Sequence, residues 1–81
     1  MPSTSVIVGS SVGLHARPAA IIAEAAGALG TTVTINGVDA SSSLMIMTLG
    51  AKFGDTVEVA GDDQAAVDKI AGLVEQDLDA D

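Results

Sequence analysis

The chain has 81 residues, 48% of them hydrophobic, with a single Phe, no Cys and a net charge of −8. A chain of this length forms one small domain, residues 1–81, whose modest core leaves no room for a large internal active site. Only three basic residues are present, which argues against a nucleic-acid-binding protein, and the lack of Cys excludes disulfides and thiolate metal sites.

The N-terminal third predicts a strand, a loop and a helix. Residues 5–8, SVIV, are typical of a short strand, and residues 9–13, GSSVG, of a turn-rich loop. Alanine-rich residues 16–29 carry their apolar side chains at helical spacing, which predicts a helix with one core-facing side. Gly30 is placed to end that helix, because glycine adopts the left-handed conformation at little cost.

A β-hairpin is predicted over residues 31–40, TTVTINGVDA. Asn36 and Gly37 are the preferred pair for a two-residue type I′ turn. This turn places Ile35 opposite Val38, so that the apolar residues of both strands share one face.

The remaining chain predicts a helix, a strand and a helix. A serine caps a short helix over residues 44–49, which ends at Gly50, and residues 56–60 alternate as a fourth strand. Asp62 or Asp63 then caps a final helix. Its apolar residues at helical spacing are Ala66, Val67, Ile70, Leu73, Val74 and Leu78. We expect residues 79–81 to fray.

The element order is therefore β-α-β-β-α-β-α, which indicates an α+β fold. Because each strand alternates, one face of the sheet is apolar and the other faces water. This pattern favours a four-stranded, mainly antiparallel sheet with three helices on one face. No signal peptide and no membrane span are expected, and we predict a cytoplasmic monomer.

The stretch GLHARP, residues 13–18, concentrates scarce side chains. It holds the only His, one of three basic residues and one of two prolines. At the start of a helix, outward-pointing N–H groups and the helix dipole attract anions. Pro18 is compatible with a first helical turn, Arg17 offers a planar set of donors for phosphate oxygens, and His15 offers a nitrogen nucleophile.

These features together indicate a phosphoryl group carried on His15 and stabilised by Arg17 and the helix start. From the residues alone, a surface histidine without a task is at least as common an explanation. A metal site is not expected, because one His without Cys supplies too few ligands.

GLHARPAA followed by an alanine-rich helix resembles the active-site signature of HPr, the histidine-containing phosphocarrier family of the bacterial sugar phosphotransferase system. SSSLMIMTLG is similar to the segment of that family that carries a regulatory serine, and the likeness extends over about residues 3 to 78. The resemblance implies an open-faced β-sandwich, and a carrier rather than an enzyme, without a cofactor.

The resemblance also implies a transfer route. Enzyme I, charged by phosphoenolpyruvate, phosphorylates Nδ1 of His15, and the group passes to an enzyme IIA domain and on to a sugar. Arg17 matches the phosphate-binding arginine, and the backbone amides of Ala16 and Arg17 are expected to bind the phosphate.

The apolar stretch LMIMTL, residues 44–49, predicts a partner surface. We expect Leu44 and Met47 to form an exposed docking patch near His15, with Lys52 contributing to docking.

Counting back from the end of this helix places the regulatory serine at Ser42, or at Ser43 if the alignment shifts by one. A serine kinase is then a further partner, and the alternative interpretation is that Ser42 is only a helix cap.

Two alternatives stay open. One is a paralogous carrier of a nitrogen-related or regulatory phosphorelay, with the same chemistry and different partners. The other is a small α/β binding module in which His15 is incidental, and which therefore tolerates its replacement.

Overall fold

The computed structural model describes residues 2–11 and 13–76, and its elements follow the predicted order. They are β1 (Ser3–Ile7), α1 (Ala16–Ala28), β2 (Val33–Ile35), β3 (Val38–Asp39), α2 (Ser43–Thr48), β4 (Thr56–Gly61) and α3 (Gln64–Glu75). The predicted contribution of Leu78 and the predicted fraying of residues 79–81 lie outside the described residues.

The four strands form one sheet in the order β1-β4-β2-β3, and every neighbouring pair is antiparallel. Helix α3 packs on β1, β4 and β2, while α1 packs on α2 and α3. In β4, Val57 and Val59 are buried, whereas Thr56 and Glu58 are exposed on the open face. The α+β prediction, with helices on one side of an open sheet, is confirmed.

The core is aliphatic. The largest fully buried side chains include Leu14 before α1, Ile22 in α1, Ile35 in β2, Ile46 in α2 and Ile70 in α3. Each such side chain stabilises the fold by about 1.5–3 kcal/mol relative to full exposure. None of the helices in the described ranges is long and apolar enough to cross a bilayer.

The hairpin forms as predicted. Asn36 and Gly37 both have positive φ, 50° and 85°, as a type I′ turn requires, and Ile35 pairs with Val38. Asn36 Oδ1 also accepts a hydrogen bond of 2.8 Å from the amide of Glu58, which ties the turn to β4.

The predicted bounds of β1 differ from those observed. The strand spans Ser3–Ile7 rather than residues 5–8, because it pairs with β4 from Ser3 opposite Ala60 to Ile7 opposite Thr56. The sequence pattern does not reveal this pairing, because the polar Thr4 is partly buried while the apolar Ile7 is 58% exposed. Helix α2 also begins one residue early, at Ser43.

Candidate functional site

His15 lies at the N-cap of α1. Its backbone is extended, with φ −130° and ψ 156°, and its side chain makes no capping hydrogen bond. The residue is exposed. The imidazole therefore stands at the helix start, accessible to a partner and not used to hold the helix.

Ala16, the next residue, has φ 42°. This left-handed conformation is uncommon for a residue with a Cβ and costs about 1–2 kcal/mol. Such strain persists only where the surrounding structure holds it, and it is concentrated at functional sites. The strained residue here is directly adjacent to His15.

Arg17 and Pro18 complete the first turn of α1. Arg17 is exposed, and Pro18 is buried against the core side. Amide groups of a first turn point out of the helix end, and in α1 they belong to Ala16 and Arg17 because Pro18 has no N–H. No acidic residue lies in this turn. With no acidic residue to offset it, the positive end of the α1 dipole lies beside His15.

The loop before His15 is held on one side by the C-terminal end of α3. The amide of Gly9 donates to the carbonyl of Val74 at 3.0 Å, and Ser10 Oγ donates to the carbonyl of Gln76 at 3.1 Å. A Cβ on Gly9 would overlap the carbonyl of Glu75. Ser10 is fully buried. These contacts fix where the loop begins.

The same loop is held on its other side by the segment after α2. The amide of Leu14 donates to the carbonyl of Ala51 at 3.0 Å, and Leu14 is buried. Gly13 has φ 77°, and a Cβ there would overlap the carbonyl of Ala51 and crowd the Cα of Lys52. The structure therefore brings Lys52, a predicted docking residue, beside the loop that carries His15.

The two residues of the predicted docking patch differ in exposure, and their docking role stays a prediction. Leu44 is 67% exposed, but Met47 is partly buried and packs against the core. The exposed large apolar side chains near this segment are instead Leu44, Met45 and Phe53.

Ser42 is the N-cap of α2. Its side-chain oxygen accepts a hydrogen bond of 3.3 Å from the amide of Met45, while Ser43 is the first helical residue. Just before it, Ser41 donates from its hydroxyl and its amide to Asp39 Oδ1, at 2.7 Å and 2.9 Å. Both hydrogen bonds lower the pKa of Asp39, and the one from the hydroxyl has the larger effect. The helix entry is thus built from the polar side chains of Asp39, Ser41 and Ser42.

His15 lines neither of two depressions in the protein surface. A depression of about 250 Å³ lies between the C-terminal end of α1 and Asp39, and a shallow one of about 540 Å³ lies between α1 and Lys69. Neither includes His15 or Arg17. Within the described ranges no three His, Cys, Asp or Glu side chains could hold a metal ion. The exposed imidazole of His15 therefore lies outside both depressions.

Several features of the site escaped sequence reasoning. The left-handed Ala16 carries no sequence signal, since alanine is unremarkable at a helix start. The contact of Ser10 with Gln76 joins residues 66 positions apart. Phe53 was identifiable as the only aromatic residue, but nothing in the sequence placed it on the surface.

The chain was compared with known proteins. The family model described as "PTS HPr component phosphorylation site" matches residues 2–76. The phosphocarrier protein HPr of Streptomyces coelicolor is 40% identical over 87 aligned positions, covering 98% of this chain and 94% of that protein.

Two solved structures are also similar. HPr-C-His from Thermoanaerobacter tengcongensis has a TM-score of 0.88 and 25% identity, covering 100% of this chain and 99% of its own. A phosphocarrier protein HPr from Bacillus anthracis str. Ames has a TM-score of 0.83 and 26% identity, and the match covers 90% of this chain and 95% of that one.

Proposed function

The chain belongs to the HPr family of phosphocarrier proteins of the phosphotransferase system, and on that premise we propose that His15 carries its phosphoryl group. The observation that carries the proposal is the position of His15. It is an exposed imidazole at the N-cap of α1, not engaged in capping, with Arg17 in the following turn.

In the proposed step, the unprotonated Nδ1 of His15 attacks the phosphorus atom of a phosphoryl group on the donor. A P–N bond to His15 forms as the bond from phosphorus to the donor atom breaks, and the donor atom keeps that electron pair. The other ring nitrogen retains its proton. Phosphoryl transfer proceeds through a loose transition state, so positioning and charge stabilisation supply most of the catalysis.

Arg17 and the helix start are the groups proposed to stabilise that charge. The guanidinium offers a planar set of donors to the equatorial oxygens, and the amides of Ala16 and Arg17 are proposed to bind phosphate at the positive end of α1. The strain at Ala16 and the two sets of loop contacts support the proposal, because they fix the backbone that presents the imidazole.

The proposed donor is enzyme I charged by phosphoenolpyruvate, and the proposed acceptor is an enzyme IIA domain that passes the group to an incoming sugar. In this cycle the protein is a substrate of both partners and carries a transient phosphohistidine, without turning over a substrate itself. Its state as a cytoplasmic monomer stays a prediction.

The test is phosphorylation by cognate enzyme I with labelled phosphoenolpyruvate. We expect acid-labile label on the wild-type protein and none on His15→Ala. Equal labelling of both proteins would contradict the role of His15. A protein that takes no label and whose function survives His15→Ala would fit the binding module with an incidental histidine.

We also propose that Ser42 is a regulatory phosphorylation site read by a serine kinase, with Ser43 as the alternative. The N-cap position of Ser42 supports this, because a phosphate there meets the N-terminal dipole of α2 and lies two residues before the exposed Leu44. Incubation with such a kinase and ATP should label the wild type and Ser43→Ala but not Ser42→Ala. Label lost only in Ser43→Ala would move the site by one residue, and no label on the wild type would remove it.

A further inference from the structure

Phe53 is the only aromatic residue of the chain, and it is 65% exposed. A large aromatic side chain normally contributes to the core or to an interface, where its burial is worth most. The described core is complete without Phe53 and consists of aliphatic side chains. The chain thus displays its largest apolar side chain to the outside.

The turn that holds Phe53 is firmly built. The amide of Lys52 donates to Asp55 Oδ2, and the amide of Asp55 donates to the carbonyl of Lys52, both at 2.9 Å. Two hydrogen bonds hold the turn to Val8, the residue after β1. The amide of Gly54 donates to the carbonyl of Val8 at 3.0 Å, and the amide of Val8 donates to the carbonyl of Asp55 at 2.9 Å. Because the backbone is fixed, little conformational entropy is lost when the ring is buried by a partner.

The turn is continuous with the site of His15. Val8 leads directly into the loop that carries His15, and the backbone of Ala51 and Lys52 packs on Gly13 of that loop. On its other side the turn follows α2, which displays Leu44 and Met45. Phe53 thus lies on a turn that is bonded to the start of the loop before His15 and that follows the exposed Leu44 and Met45 along the chain.

The charges at this end of the molecule favour a phosphorylated partner. Arg17 and Lys52, two of the three basic residues of the chain, are both exposed here. The acidic residue of the Phe53 turn is Asp55, which is exposed and whose Oδ2 already accepts the amide of Lys52. Before transfer, the phosphoryl group is on the donor, and its negative charge complements the two cations. After transfer, the phosphate on His15 adds negative charge at this end of the molecule, which lowers its attraction for a second phosphorylated protein.

We propose that Phe53 is a docking anchor for the phosphorylated donor protein, inserting its ring into an apolar recess on the donor while His15 meets the phosphoryl group. This inference rests on the proposed phosphocarrier function and adds to it a residue that sets the affinity of the donor. Phe is enriched with Tyr and Trp at the core of protein interfaces, where a few well-packed residues supply most of the binding energy.

The test is the steady-state phosphorylation of this protein by cognate enzyme I with phosphoenolpyruvate. For Phe53→Ala we expect KM to rise about tenfold with kcat within twofold of wild type, because the ring contributes binding and not chemistry. Phe53→Tyr keeps the aromatic face and should restore a KM within threefold of wild type. Ile7→Ala, which removes a similarly exposed apolar side chain from the open face of the sheet, is the matched control and should leave KM within twofold.

The outcomes separate the two proposals. Unlabelled wild-type protein would overturn the proposed function and this inference together. Labelled wild type with an unchanged KM for Phe53→Ala would overturn the inference alone. A rise in KM confined to transfer from the charged protein to an enzyme IIA domain would also overturn it, in favour of the acceptor. The inference would also be overturned if sedimentation showed that the wild type self-associates and that Phe53→Ala does not. That result would assign the ring to contact with a second copy of this chain.

Discussion

Ser10 Oγ donates a hydrogen bond of 3.1 Å to the carbonyl oxygen of Gln76, and this contact joins the loop before His15 to the C-terminal end of α3. The hydroxyl belongs to the one polar residue that is fully buried among those the structure describes. The position of the proposed phosphoryl acceptor therefore depends on a helix far away in the chain.

Ser10→Ala should lower the free energy of unfolding by about 1 kcal/mol, because a buried hydrogen bond is lost while the cavity created is small. Chemical denaturation measures this difference. The control is Ser3→Ala, an exposed serine of β1, which should change stability by less than about 0.5 kcal/mol. Equal effects of the two substitutions would show that the contact with Gln76 contributes nothing.

Gly13→Ala should be far more destabilising than Gly30→Ala, although the two glycines have nearly the same φ, 77° and 73°. Both substitutions place a Cβ in the left-handed region, at a cost of about 1–2 kcal/mol. Only at Gly13 does the new atom also overlap the carbonyl of Ala51, whereas a Cβ on Gly30 would meet no non-neighbouring atom within 4 Å. Overpacking of this kind adds about 1–3 kcal/mol.

Thermal unfolding of the two variants separates the two costs. The predicted order is wild type, then Gly30→Ala, then Gly13→Ala, with Gly13→Ala also losing phosphorylation of His15. Equal melting temperatures for the two variants would contradict the packing of the loop on Ala51.

Arg17→Ala should slow the phosphorylation of His15 by about ten- to a hundredfold, as expected for the loss of one group that stabilises transition-state charge. Arg17→Lys keeps the charge without the planar set of donors, and its phosphorylation rate should lie between those of the wild type and Arg17→Ala. Single-turnover phosphorylation by enzyme I measures these rates. Lys69→Ala removes an exposed cation from α3 and serves as the control. An Arg17→Ala rate no lower than that of this control would remove Arg17 from the site.

Asp39 should titrate below its ordinary pKa of 3.8, because the hydroxyl and the amide of Ser41 both donate to the charged carboxylate. A depressed folded-state pKa means that the carboxylate stabilises the fold above its unfolded pKa. This contribution is lost as the pH falls through the folded value. NMR titration of the Asp39 side chain measures the shift. Ser41→Ala should bring the pKa back towards 3.8, and no change in that variant would assign the shift to another cause.

The parts of the fold that were predictable from the sequence are those set by near neighbours. Asn36 and Gly37 determine the hairpin and its register, because both must adopt positive φ. Asp63 caps α3, one of the two candidates predicted, and its carboxylate accepts from the amide of Ala65. The bounds of β1 were wrong because its burial depends on pairing with β4, which reverses the usual polarity at Thr4 and Ile7.

The same division applies to the candidate site. His15, Arg17 and Pro18 lie within four positions, and the chemistry of a helix start is local, so the sequence sufficed to group them. The contacts of Ser10 with Gln76 and of Gly13 with Ala51 are between distant segments, and no local pattern encodes them. Met47 was misplaced because a short helix that is apolar on every side does not reveal which side faces the core.

The role of His15 is tested most directly by locating the phosphoryl group on the folded protein. The protein labelled with ¹⁵N is charged by enzyme I and phosphoenolpyruvate, and its histidine ring nitrogens are observed by NMR. We predict a single phosphoryl group on Nδ1 of His15, absent in His15→Ala. Phosphorylation of Nε2, phosphorylation of any other residue under these conditions, or an unmodified ring would contradict it.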